Sequence, residues 1–129
     1  MSAKATDLAR VQEIFDLIME TQGQIERLGI TEQRFKSPAT DADRLFSEAI
    51  MGHVLRVGEE AGSLGDEALG HYAFERRAIK GVRNRLAHAY GDVDADVIWN
   101  VVQDDFPKLL EGCQAYCDHH GLELEVSDV

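Results

Sequence analysis

The sequence predicts an all-α fold, an up-and-down four-helix bundle whose last helix is kinked or split. Three observations carry this. Apolar residues recur at three- and four-residue spacing almost throughout. The segments so marked are separated by short stretches bearing Gly or Pro. No repeat, linker or low-complexity tract interrupts them. Long helices joined by short loops favour antiparallel neighbours.

The first stripe is Leu8, Val11, Ile14, Phe15, Ile18, Ile25 and Leu28, a helix from about residue 7 to 28 with Thr6 as its N-cap. The stretch from Gly29 to Thr40 closes on Ser37-Pro38, which signals a loop or the start of a helix. A second helix carries Leu45, Phe46, Ala49, Ile50, Val54, Leu55 and Val57 and runs out near Gly62 and Gly65. A third covers roughly Tyr72 to Ala89, with Ile79, Val82 and Leu86 facing the core. The last begins near Asp94, carries Val97, Ile98, Val101 and Val102, and must kink or restart at Pro107, whose ring lacks an N–H. It resumes through Leu109, Leu110, Cys113 and Tyr116 to about His120. Residues 121–129 read as a loose tail or, from the alternation of Leu122 to Val126, a short strand.

With 129 residues the chain is read as one domain, 1–129. It is large enough to bury a core without disulfide or metal staples. Hydrophobic residues at 44% and charged ones at 29% argue against long disorder. No apolar run reaches membrane-spanning length, and the N-terminal residues lack the apolar centre of a signal peptide. A soluble, cytoplasmic protein is expected. Cys113 and Cys117 are too few for a disulfide framework and are read as reduced, structural thiols on one helix. Their spacing to His119 and His120 is not that of a zinc site, so no metal is assigned.

The formal charge of −11 hides a concentration of the opposite sign. Arg76, Arg77, Lys80, Arg83 and Arg85 fall in a stretch up to Tyr90 that holds no acidic residue, which leaves −16 on the rest of the chain. An acidic body repels nucleic acid at long range while a basic patch binds phosphate locally. On charge alone, a solvated helix face is the commoner use of such a run. The patch, however, ends Arg83-Asn84-Arg85-Leu86-Ala87-His88-Ala89-Tyr90. Arginine is a phosphate fork, histidine a proton carrier near neutral pH, and tyrosine a nucleophilic hydroxyl. Five residues apart, Arg83 and His88 stand about 140° apart around an ideal helix. Either the helix ends near His88, or a second copy completes the pair across a two-fold axis.

Arg83-Asn84-x3-His88-x-Tyr90 resembles the Arg-x4-His-x-Tyr signature of HepT-type toxins, members of the HEPN superfamily of ribonucleases. The resemblance extends from about Asp43 to Leu110. It includes Gly58-Glu59-x-Ala61, Ile79-x-Gly81-x-Arg83-Asn84, Val93-Asp94-x3-Val97-x-Trp99 and Asp105-Phe106-Pro107-x-Leu109. Where the family has a tryptophan before the Ile-x-Gly segment, Phe74 stands in as a packing residue.

The resemblance implies a helical homodimer with both Arg-x4-His motifs at a shared cleft. It also implies metal-independent RNA cleavage, with tRNA or mRNA as substrate. His88 would be the general base or acid and Arg83 would stabilise the phosphorane oxygens. Asn84 would orient the phosphate or His88, while Arg85, Arg76, Arg77 and Lys80 would position the RNA. Glu59 would support a motif arginine through a salt bridge. A cognate minimal nucleotidyltransferase antitoxin would transfer AMP to Tyr90. Taken alone, Tyr90 reads instead as packing against Trp99 or Phe106.

Other patterns carry less. Asp92-x-Asp94-x-Asp96 has Val97 and Gln103 where a calcium loop needs glycine and glutamate, so these aspartates are read as helix caps. Gly58-x3-Gly62 permits close helix packing. His53 and His71 are read as surface or core residues without a partner. No Walker or Gly-x-Gly-x-x-Gly loop occurs, and no cofactor is expected. The alternative to a ribonuclease is a non-catalytic helical binding partner of a nucleotidyltransferase or of RNA or a nucleotide.

Overall fold

The structure is a computed structural model that describes residues 3–65, 68–69, 74–91 and 94–124. Side chains are described from Asp7 onward within those ranges, those of residues 88–91 excepted. The described chain is all-helical: α1 (Ala3–Leu28), α2 (Glu32–Lys36), α3 (Asp41–Gly62), α4 (Arg76–Gly91), α5 (Ala95–Asn100), a π-helical turn (Val101–Asp105) and α6 (Phe106–His120).

α1 starts at Ala3, so Thr6 lies inside it rather than capping it; Ala3, Lys4 and Ala5 are strong helix formers that extend the helix upstream. It ends on Gly29, whose φ of 60° is the left-handed turn that glycine adopts without a steric cost. Ile30 N–H then bonds back to the Ile25 carbonyl and its side chain is buried. α2 was not expected as a helix. Thr31 caps it through the Arg34 N–H, and Phe35 reaches the core to lie 5.3 Å from the Trp99 ring. Arg34 ties three elements: it donates to the Leu28 and Gly29 carbonyls and, at 2.8 Å, to Asp43 in the first turn of α3. That guanidinium holds the Asp43 carboxyl below its usual range.

α1 packs on α3 and α6, α3 on α4, and α4 on α5. The core is built from Val11, Ile14 and Ile18 of α1, Ile50, Val54 and Val57 of α3, and Phe106, Cys113 and Tyr116 near the C-terminus. Cys113 and Cys117 are free thiols wholly inside it, and burial pushes the Cys113 thiol up to about 12. His53 does have a partner, Thr21. The Thr21 hydroxyl donates to the Leu17 carbonyl, so it accepts at 3.1 Å from a protonated His53 Nδ1. His71 and Asp92 lie outside the described residues.

Asp94 caps α5 by accepting from the Asp96 and Val97 N–H groups, as expected. The expected break at Pro107 takes the form of a π turn: Phe106 N–H reaches back five residues to the Val101 carbonyl, just before the proline that has no N–H to give. α6 ends on Gly121 at φ 66°, with Leu122 N–H bonded to the Cys117 carbonyl. Leu122 and Leu124 then pack on the core without strand geometry, and residues 125–129 lie outside the described residues. No described helix is long and apolar enough to cross a membrane.

Candidate nucleic-acid interface

α4 begins at Arg76, later than expected, and Tyr72 lies outside the described residues. Phe74 precedes it, buried against Gly112 of α6, where a β-carbon would come within 2.5 Å of its ring. It serves as the packing residue the sequence suggests. Asp7, buried on α1, accepts from the Gly65 N–H at 2.7 Å and so anchors the chain where it leaves α3 for α4.

Ile79, Val82 and Leu86 face the core, while Arg76, Arg77, Lys80, Arg83 and Asn84 are exposed, Arg83 beside the buried stripe and the others further round α4. At ~100° per residue, positions 76, 80 and 83 share one strip, flanked by 77 and 84. The strip rises about 10 Å from Arg76 to Arg83. Arg85 is not part of it. Two residues from Arg83, it points about 160° away around the axis. There it donates at 2.8 Å to Asp105, a mostly buried carboxylate on the π turn. Arg85 thus stands apart from the other four cations, tied to the π turn through Asp105.

Arg83 occupies the crossing of α4 over α3. Its side chain lies across the bare Cα of Gly62, and Leu86, one turn on, lies across Gly58. Helix numbering runs in opposite directions at these two contacts, so α3 and α4 are antiparallel. Among the described residues Glu59 is exposed and makes no bridge to Arg83; Glu60 pairs instead with Arg10 at 3.4 Å. The sequence marks Gly62 as a helix stop, which it is, and as a site of close packing, without indicating that Arg83 is what packs there. The pattern that could have flagged it is glycine four residues after Gly58, on the side of α3 that meets a helix bearing the motif arginine.

His88 and Tyr90 fall among the residues whose side chains are not described. Their backbone is helical, because α4 runs unbroken to Gly91. The helix therefore does not end near His88, and positions 83 and 88 stand about 140° apart on it. Position 90, seven residues from 83, returns to within about 20° of it.

A family model of HepT-like ribonucleases matches residues 18–116. The chain belongs to that family. The matched span of this HepT-like ribonuclease chain runs from within α1 into α6 and takes in the whole of α4 with its basic face. No solved structure matches the chain.

Proposed function

We propose that this HepT-like chain is the toxin of a type VII-like toxin–antitoxin pair, a cytoplasmic metal-independent endoribonuclease in which residues 1–129 act as one domain. The observation that carries the reading is Arg83, exposed at the end of a basic strip on α4 in a member of a ribonuclease family. In the reaction the 2′-hydroxyl attacks the adjacent phosphorus and the P–O5′ bond breaks. The products are a 2′,3′-cyclic phosphate and a 5′-hydroxyl. One group takes the 2′ proton and another returns a proton to O5′. His88 performs one task and its counterpart in a second copy the other. The divergence of positions 83 and 88 on an unbroken helix supports this: a dimer cleft can combine the arginine of one copy with the histidine of the other.

Arg83 faces the non-bridging oxygens, where its planar fork matches the charge that grows in the phosphorane. Asn84 orients the phosphate or His88. Arg76, Arg77 and Lys80 hold flanking phosphates of tRNA or mRNA, a sequence-independent contact that salt weakens. Arg85, spent on Asp105, takes no part in positioning the RNA.

A minimal nucleotidyltransferase antitoxin neutralises the toxin by transferring AMP to Tyr90. The tyrosine oxygen bonds to the α-phosphorus of a nucleoside triphosphate and pyrophosphate leaves. Because positions 83 and 90 share one side of α4, the new phosphodiester competes with RNA for the Arg83 guanidinium.

The test is cleavage of total tRNA and mRNA in EDTA by protein purified without antitoxin, with mass spectrometry confirming unmodified Tyr90. Wild type should cleave and His88→Ala should not. Failure of the unmodified wild type on both pools would reject the nuclease and leave a binding partner of RNA or of the transferase.

A further inference from the structure

Gly62 ends α3 with a φ outside the left-handed region, since Gly29 and Gly121 are the described glycines with positive φ. Its backbone therefore does not demand glycine, and helix propensity alone favours alanine. Space accounts for it instead. A β-carbon at position 62 would stand 2.8 Å from Arg83 Cδ and 3.0 Å from Cζ, closer than unbonded carbons approach. Gly52, on the same helix, offers the contrast: a β-carbon there would meet nothing within 4 Å.

Arg83 has no ion pair among the described residues to hold its guanidinium, the nearby carboxylates Glu59 and Glu60 being exposed and committed to Arg10 respectively. Its direction is set by the surface beneath it. That surface is the glycine Cα, with the spacing of the two helices fixed one turn away by Leu86 on Gly58.

We propose that Gly62 is a positioning residue for Arg83: its absent side chain is the seat across which the guanidinium extends toward the scissile phosphate. The inference rests on the ribonuclease reading for its functional consequence, but the seat itself is a property of the fold. An alanine methyl at 62 displaces the far end of a flexible side chain and leaves the helix contact at Leu86 intact. Stability is retained while aim is lost, and a misplacement of about 1 Å at a reacting centre can cost on the order of 10²-fold in rate.

The experiment compares wild type, Gly62→Ala and the control Gly52→Ala. It follows melting temperature, cleavage kinetics and the Arg83 Nε–H signal of uniformly 15N-labelled protein by NMR. Expected for Gly62→Ala are an undiminished melting temperature, kcat lower by about 10- to 100-fold with KM little changed, and a displaced Arg83 signal. Gly52→Ala should match wild type in kinetics and in the Arg83 signal, with a melting temperature equal to or above that of wild type. Normal kcat in Gly62→Ala beside an active wild type overturns the proposal. If wild type does not cleave RNA at all, the ribonuclease reading fails separately and the NMR signal decides: a signal moved by Gly62→Ala and not by Gly52→Ala sustains the seat, an unmoved one overturns it.

Discussion

Leu86 of α4 lies directly on the backbone of Gly58 in α3, so close that a β-carbon at position 58 would sit 2.5 Å from Leu86 Cδ1. Both residues are buried. This contact sets how near the helix bearing the basic face comes to α3, and it cannot relax as Arg83 over Gly62 can. Gly58→Ala should therefore cost about 1–3 kcal/mol through overpacking. Leu86→Ala should cost about 2–5 kcal/mol through the cavity it leaves. The double variant should be less destabilised than the two singles combined, because the added methyl enters the space Leu86 vacates. Urea unfolding of the three variants measures this; simple additivity would show that the two side chains do not compete for one space.

Arg85 and Asp105 form a partly exposed pair that joins α4 to the π turn. Arg85→Ala should cost no more than about 1 kcal/mol in stability. It should leave RNA cleavage nearly unchanged, whereas Arg83→Ala should abolish it. Comparable losses from the two substitutions would return Arg85 to the substrate face.

The buried thiols give a direct test of the core. With its thiol pushed up to about 12, Cys113 carries almost no thiolate at pH 8, and burial raises Cys117 in the same direction. Iodoacetamide at that pH should label neither cysteine in the native protein and both in denaturant. Rapid native labelling would mean that the packing between α1 and α6 opens readily.

Asp43 supplies a pH dependence. Its folded value is depressed chiefly by the Arg34 hydrogen bonds, below the usual 3.8. The unfolded chain therefore takes up the proton first as pH falls, and the stability the pair contributes is present above pH 3.8 and lost below it. Melting temperatures of wild type and Asp43→Asn should differ near neutral pH and converge as pH drops through that window. A gap that persists at pH 2 would assign the effect to something other than the carboxylate charge.

Much of the fold was legible because helical periodicity is a local property. The stripe of Ile79, Val82 and Leu86 marked the buried side of α4, and Asp94 announced the start of α5. Helix ends were less legible: α1 runs three residues past its apparent cap, and α2 forms around Phe35 because the Trp99 ring is there to receive it. Of the candidate site, the motif order in the sequence pointed to the HepT-like family, and the family match over residues 18–116 agrees. The division of the basic patch did not show, because it depends on Asp105 arriving from a segment 20 residues away.

Composition, periodicity and motif by themselves determined that this protein is helical, that five of its cations fall on one stretch without an acidic residue, and to which family it belongs. Only the tertiary structure decided that Arg85 pairs with Asp105, that α4 continues past His88 to Gly91, and that Arg83 rests on Gly62. The physical reason is that side-chain type and spacing act along the chain. Charge neutralisation and steric clearance instead act between residues that meet only when helices cross.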